Sequence, residues 1–413
     1  MELGSLRYFW QRPRTHRDLL TERRVSFLEL FYDLIYVVLI ARVAVGLHEH
    51  IDLRTVTGFC VLFGLVWIGW YNGSLLHDAH GRPDVRNRLF VFLQMFAISA
   101  MAVFAPDALG SGGTGFAISY TLFLGILVWQ WLVVARIERS DPVYGPLTRS
   151  YATTMVLMTI WIAASVFFGE DLRVWMWAAF VVVFVVGMVV FAYWRRGDES
   201  AAEAAAPLAT ESLLERFALL MIIVLGEVVA SVVDGLGGVE QLSVRIFATG
   251  FAGLAVGIAF WWTYFDLIAM RSPIATTRSR YLYNLAQLPL ALALTGVGAA
   301  TVSLIEHGSE DGTPTATAWL FGGFVALAML TSAWLMRLLA DYSRMRSMYR
   351  PAARFSLIIA ALALVLAAIG PPPLLFALVV FAAMCVQWIV MVIRWLDTPE
   401  GLAKTAEFRQ EST

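Results

Sequence analysis

The chain has 413 residues, of which 59% are hydrophobic and 13% aromatic, and its formal net charge at pH 7 is −1. A soluble domain is about 45–50% apolar, so this composition excludes an ordinary soluble protein and predicts an all-α, polytopic membrane protein in a lipid bilayer. The balanced charge offers no basic excess, and we expect no nucleic-acid partner.

The chain begins with a polar segment, residues 1–25, that contains six arginines. It resembles the basic start of a signal peptide, but the apolar run behind it is too long and too charged for one. We therefore expect this segment to be retained.

The first apolar run, residues 25–47, is long enough to cross a bilayer, which takes about 20 residues. It nevertheless carries Glu29, Asp33 and Arg42. A helix places Glu29, Asp33 and Tyr36 on one face. Because an ionisable group at membrane depth costs about 2.5–3.5 kcal/mol, we expect this face to turn toward protein.

Further apolar runs follow along the whole chain, and we predict about twelve membrane spans. They cover residues 26–47, 55–76, 86–105, 114–137, 150–168, 172–194, 211–233, 242–268, 280–304, 314–338, 354–369 and 373–396. Arginines concentrate in alternate loops and in both terminal segments. This is the positive-inside pattern, which predicts that both termini lie in the cytoplasm.

The two halves of the chain resemble each other. SFLELFYDLIYVVLIARVA from Ser26 aligns without gaps on SLLERFALLMIIVLGEVVA from Ser212, and Trp70 pairs with Trp262 at the ends of the second and eighth spans. An even number of spans in each half predicts two parallel six-helix repeats. The predicted segments are the cytoplasmic N-terminal segment 1–25, the repeats 26–196 and 212–396, a cytoplasmic linker 197–211 and a cytoplasmic tail 397–413.

The first and seventh spans also carry a family resemblance. VSFLELFYDLIYVV and LLERFALLMIIVLGEVV resemble the two most characteristic stretches of the bacterial low temperature requirement A (LtrA) family. The motif residues are Glu29, Phe31, Asp33, Glu215, Arg216, Phe217, Gly226 and Glu227. The resemblance implies a multi-pass protein of the bacterial inner membrane that is linked with growth in the cold. It supplies neither a reaction nor a substrate.

The ninth span departs from the family pattern. Gln287 stands before Leu-Pro-Leu, where the family pattern leads us to expect a histidine. A titratable group is therefore missing there, which argues against a proton-transfer role for this helix.

The charged residues of the first and seventh spans need partners on other helices. Arg216 and Glu227 share one helix face but lie about 16 Å apart along the axis, too far to pair. We predict the pairs Arg216–Asp33 and Arg42–Glu227, which either join helices or take part in binding. The binding candidates are Asp33, Glu227, Arg216, Arg42, Tyr36, Asn72 and Gln287.

Glu29 and Glu215 have a simpler explanation. They follow Ser26 and Ser212 by three residues, a spacing that predicts a capping box at the start of each helix. Asp266 lacks this explanation and is a functional candidate, although its place after WWTYF also suits the membrane interface.

Asn72, His77, Asp78 and His80 cluster near the end of the second span. A zinc site usually needs ligands at specific spacings on rigid elements, and this stretch continues into Gly-Arg-Pro-Asp. We therefore predict no metal and no cofactor.

Three functions stay open at this point. The sequence has neither a phosphate-binding glycine loop after a strand nor a nucleophile elbow, so we predict no catalytic residues. We favour a secondary transporter or ion-coupled carrier for a small solute or ion, with a central site between the two repeats. The alternatives are a non-catalytic structural or signalling protein and a membrane-embedded enzyme acting on lipid. A central cavity would favour transport, a lateral groove lipid chemistry, and full pairing of the charges a structural role.

Overall fold

A computed structural model describes residues 11–16, 25–49, 51–194 and 206–396. The predicted C-terminal tail and most of the predicted N-terminal segment and linker lie outside these ranges. Within them the regular structure consists of helices, which confirms the all-α prediction.

Twelve long helices occupy the described residues. The first six are α1 (Phe27–Ala44), α2 (Leu53–His80), α3 (Val85–Phe104), α4 (Gly113–Ile137), α5 (Tyr144–Ser165) and α6 (Glu170–Trp194). The second six are α7 (Glu211–Gly237), α8 (Val244–Leu267), α9 (Thr277–Glu306), α10 (Thr315–Leu338), α11 (Arg346–Ile369) and α12 (Pro373–Leu396). Short helical turns at Gly46–Glu49, Ala105–Asp107, Ala206–Ala209 and Ala340–Tyr342 lie between them.

Ten of these helices are long and apolar enough to cross a membrane by length and composition. The chain is therefore a membrane protein with multiple apolar helices. α1 falls outside this group because three charged residues lie within its 18 residues, and α5 because threonines, serines and Arg149 dilute its apolar residues. The full count of twelve spans stays a prediction.

The start of α1 has the capping box that the sequence predicts. The Glu29 backbone N–H lies 3.4 Å from the Ser26 hydroxyl oxygen, and the Ser26 backbone N–H lies 3.1 Å from Glu29 Oε2. These two contacts satisfy donors that would otherwise be orphaned at a helix start.

The predicted capping box at the start of α7 is wrong. Thr210 occupies the capping position, because its hydroxyl oxygen accepts from the Leu213 N–H at 3.1 Å. Ser212 therefore lies inside the first turn. Glu215 Oε2 instead accepts from the Val25 backbone N–H at 3.3 Å.

The chain divides into two compact units. Unit 1 comprises the described residues within Met1–Gly46, Asp52–Ile223 and Ala275–Leu288. Its strongest helix packing joins α4 to α5 and to α3, and α1 to α3. Gly73 of α2 also brings the backbone of that helix against the Tyr32 hydroxyl of α1, where a Cβ would collide.

Unit 2 comprises Leu47–Ile51, Val224–Ile274 and the described residues within Pro289–Thr413. Within it α10 packs on α11, while α12 packs on both α8 and α11. Gly253 of α8 lies directly against the Thr301 side chain of α9, so a small residue permits close helix approach there.

Candidate functional site

A buried ion pair lies inside unit 1. Arg216 Nη2 of α7 lies 2.8 Å from Asp33 Oδ1 of α1, and Arg216 and Asp33 are 0% and 1% exposed. The predicted contact between these two residues is therefore present. Trp70 of α2 donates its indole N–H to the same carboxylate oxygen at 2.9 Å.

Two further residues complete the surroundings of the guanidinium. Arg216 Nη1 lies 3.4 Å from the Ser74 carbonyl oxygen, and its Cζ lies 5.7 Å from the ring centre of Tyr32 and 5.9 Å from that of Trp70. Such distances allow cation–π attraction. We call Tyr32, Asp33, Trp70, Ser74 and Arg216 the ion-pair centre.

The ion-pair centre leaves several buried polar atoms without hydrogen bonds among the described residues. They are Asp33 Oδ2, Arg216 Nε and Ser74 Oγ. A buried polar group without a partner costs about 1–3 kcal/mol. The hydrogen-bonding groups of the ion-pair centre are thus only partly satisfied.

Helix ends around the centre fix its geometry. The Ser26–Glu29 capping box lies about one turn before Asp33 and sets where α1 begins. The Thr210 hydroxyl, which caps α7, also donates to Asp78 Oδ2 of α2 at 2.6 Å. Asp33 and Arg216 therefore each lie close to a capped helix start.

Two more predicted residues lie in unit 1. The Tyr36 hydroxyl lies 3.4 Å from that of Tyr32, so Tyr36 extends the centre along α1. Gln287 of α9 is fully buried. Its role in binding stays a prediction.

The predicted Asn72, His77, Asp78 and His80 cluster is divided in the structure. Asn72 donates to the Ile68 carbonyl at 2.7 Å and accepts from the Tyr151 hydroxyl. Asp78 accepts from Thr210. The His77 ring meets that of Tyr32 edge-on, with ring centres 5.2 Å apart.

His80 instead joins two residues that the sequence analysis did not select. His16 Nδ1 lies 2.9 Å from each carboxylate oxygen of Glu138, and the His16 and His80 rings meet edge-on with centres 4.6 Å apart. We call His16, His80 and Glu138 the histidine cluster. Burial raises the pKa of Glu138, but hydrogen bonds from His16 and electrostatic attraction to it outweigh burial, and the pKa is lowered overall.

The remaining predicted residues lie apart from the ion-pair centre. Glu227 is half-buried in unit 2, where its neighbours Ser231 and Asp234 belong to the same helix. Arg42 is exposed and belongs to unit 1. Their predicted pairing stays a prediction.

Unit 2 contains a cavity of about 260 Å³. Trp262, Asp266, Arg271 and Trp388 are among the residues that line it. Asp266 is exposed there, and its Oδ2 accepts from the Trp388 indole N–H at 3.3 Å.

The sequence alone did not predict Trp70, Ser74 and Tyr32 as parts of the ion-pair centre. Trp70, Ser74 and His77 recur at spacings of four and three along α2, which places them on one helix face. A polar stripe on an otherwise apolar span is the signal that could have found them.

The fold and site define a polytopic membrane protein with a desolvated ion pair among its helices. A sequence model of the bacterial low temperature requirement A protein (LtrA) family matches residues 24–393. The chain belongs to this family. It is also similar to an uncharacterised protein of Rhizobium meliloti (strain 1021), with 23% identity over 324 residues that cover 76% of this chain and 78% of the relative.

Proposed function

We propose that the protein is a proton-coupled secondary carrier of the bacterial inner membrane, with its termini in the cytoplasm, in which Asp33 exchanges the proton. The observation that carries this proposal is the incomplete satisfaction of a fully buried ion pair. Joining helices needs no charge, because apolar residues of similar volume often stabilise as well or better. Ionisable residues retained within apolar helices typically mark ion or substrate pathways.

The ion pair supplies a coupling mechanism. Arg216 is fully buried and needs one anion beside it. When Asp33 takes up a proton, the guanidinium loses that anion, which costs about 3–5 kcal/mol for a buried charge. An anionic solute bound beside Arg216 restores the balance, so proton uptake and solute binding favour each other.

This mechanism favours a small anionic solute. A proton on Asp33 and one negative charge at Arg216 together add no net charge to the centre. Arginine binds carboxylate and phosphate groups through a planar pair of N–H donors, and Nη1 makes only a long contact of 3.4 Å in the present arrangement.

The experiment uses the protein in liposomes that contain a pH-sensitive dye. Solutes are first chosen by comparing metabolites in cells with and without the protein, at low and normal temperature. Addition of a transported solute should move protons with wild-type protein but not with Asp33→Asn, whose amide keeps the volume but carries no exchangeable charge. Asp171→Asn is the control, because Asp171 is an exposed carboxylate in the first turn of α6.

The competing function is structural. The complete burial of Asp33 and Arg216 also suits a contact that only joins α1 to α7. Solute-driven proton movement that survives in a stable Asp33→Asn protein would contradict the carrier mechanism. Full growth in the cold by cells carrying that variant would favour the structural role.

A further inference from the structure

The histidine cluster brings three potential metal ligands together from distant parts of the chain. One ligand atom from each of His16, His80 and Glu138 can be chosen so that all three lie within 4.8 Å of one another. The residues are 7%, 3% and 3% exposed. The cluster lies at the end of α2 and directly after α4, within unit 1.

The tautomer of His80 follows from its partner. His80 Nδ1 lies 2.8 Å from the Arg14 carbonyl oxygen. Because a carbonyl only accepts, Nδ1 carries the hydrogen, and in the neutral ring Nε2 presents a lone pair. Nε2 is buried and has no hydrogen-bond partner among the described residues.

This arrangement is the one found around metal-binding histidines. Their second ring nitrogen usually donates to a carbonyl or carboxylate, which fixes the ring and increases its basicity. His80 has the supporting carbonyl, and its ring meets the ring of His16 edge-on with centres 4.6 Å apart.

Several contacts hold segment 11–16 beside His80 and Glu138. The His16 backbone N–H donates to Glu138 Oε1 at 2.6 Å, and the Arg14 backbone N–H donates to the His80 carbonyl at 3.2 Å. The His16 ring stacks on Tyr144, with ring centres 4.6 Å apart and planes 2° from parallel. The segment 11–16 is thus already held against the helix ends, beside His80 and Glu138.

We propose that His16, His80 and Glu138 form a binding site for a divalent transition-metal ion, most suitably Zn²⁺. Two imidazole nitrogens and one carboxylate are a donor set that zinc accepts, and three protein ligands leave the fourth tetrahedral position open. Zinc–ligand bonds of about 2.0–2.2 Å place ligand atoms about 3.5 Å apart. Since the ligand atoms lie up to 4.8 Å apart, binding draws them together by about 1 Å. The ion then fastens segment 11–16 to the ends of α2 and α4.

Zinc binding is measured on protein purified without a polyhistidine tag and first stripped with a chelator. Zn²⁺ alone is titrated in competition with a chromophoric chelator, and the metal retained after dialysis is counted. We expect one Zn²⁺ per chain. Glu138→Gln should lower the affinity at least about 100-fold, since loss of a supporting group alone costs about 10–100-fold.

Glu138→Gln suits this test because glutamine keeps the shape of the side chain and an oxygen that accepts from the His16 N–H. His80→Gln is the second variant and should show the same loss. His307→Gln is the control, since His307 Nδ1 contacts the Ser303 carbonyl at 2.8 Å in unit 2. It should bind Zn²⁺ like the wild type.

A Co²⁺ titration adds a readout of the ligand set. Cobalt in a site of nitrogen and oxygen ligands gives visible absorption that reports its geometry, and this signal should be lost in Glu138→Gln. Wild-type protein that retains no Zn²⁺ would overturn the proposal and leave a His16–Glu138 ion pair. Unchanged affinity in a folded Glu138→Gln protein would overturn it equally.

Discussion

Trp70 in unit 1 and Trp262 in unit 2 are equivalent in the predicted repeat, yet their surroundings differ. Trp70 is 1% exposed and donates to the buried carboxylate that pairs with Arg216. Trp262 is half-buried and stacks on Trp388 at 4.5 Å beside a cavity. Tryptophan thus donates a hydrogen bond to a buried charge in unit 1 and lines an accessible cavity in unit 2. The burial of the charge, and not the tryptophan itself, determines how much each contact contributes to the free energy of unfolding.

The aligned sequences show the same asymmetry. In the gapless alignment of the first and seventh spans, Asp33 corresponds to Leu219 and Arg216 to Leu30. The ion pair therefore joins two positions whose counterparts are both leucine. A pair that only joined helices could have been leucine in both places.

Four helix contacts nevertheless recur in the two units. In unit 1, α2 packs on α4 and α6, and α5 packs on α4 and α6. In unit 2, α8 packs on α10 and α12, and α11 packs on α10 and α12. This is the pattern expected of a duplicated six-helix element, whose symmetry stays a prediction.

Removing one partner of the ion pair should have the largest effect. Asp33→Leu and Arg216→Leu should each lower the free energy of unfolding by about 3–5 kcal/mol, because the other charge is left buried and unpaired. The double variant should recover to within about 1 kcal/mol of the wild type or exceed it. Thermal or denaturant unfolding in detergent measures all three. Additive losses in the double variant would mean that the two charges do not act as a pair.

Trp70→Phe tests the indole hydrogen bond. Hydrogen bonds to charged groups contribute about 1.5–3 kcal/mol, and we expect a loss of this size in the free energy of unfolding. Trp67→Phe is the control from the same helix, since the buried Trp67 indole N–H has no hydrogen-bond partner among the described residues. Equal losses in both variants would show that ring volume, not the bond to Asp33, matters.

Gly73→Ala tests the close approach of α2 to α1. Its methyl group would collide with the Tyr32 hydroxyl, and overpacking typically costs about 1–3 kcal/mol. Gly125→Ala in α4 is the matched control, because a Cβ there meets nothing within 4 Å. Alanine at that helical position should stabilise by about 0.5–1 kcal/mol. A neutral Gly73→Ala variant would show that Tyr32 can move aside.

The smallest effect is expected at the tryptophan–carboxylate contact of unit 2. Trp388→Phe removes the 3.3 Å contact to the exposed Asp266, where water replaces the lost bond. We expect a change within about 0.5 kcal/mol in the free energy of unfolding. A loss as large as that of Trp70→Phe would remove the contrast between the two units.

The sequence predicted most of the helices and the Asp33–Arg216 contact. Apolar run lengths fix the helices, and a buried carboxylate requires a cation. The sequence did not predict Trp70 as a hydrogen-bond donor to Asp33, because the face that α2 turns toward α1 depends on packing across the fold. The capping error at Ser212 arose because Thr210 gains both the Leu213 N–H and Asp78.

The histidine cluster could not be predicted for a different reason. Its three residues are separated by more than fifty positions at each step. No local spacing links them, and only the docking of segment 11–16 on the helix ends brings them together. Proximity in the sequence instead grouped His80 with Asn72, His77 and Asp78, whose side chains contact other residues.

Infrared difference spectroscopy of the carboxyl groups tests most directly whether Asp33 exchanges a proton. Spectra of wild-type and Asp33→Asn protein are recorded in lipid at low and high pH. The low-minus-high pH difference spectrum of the variant is then subtracted from that of the wild type. We expect a protonated-carboxyl band that appears on acidification in the wild type and is missing in Asp33→Asn. The pH of its transition should shift when a transported anion is added. Identical pH differences for the two stable proteins would contradict it, since Asp33 would then stay ionised beside Arg216 throughout.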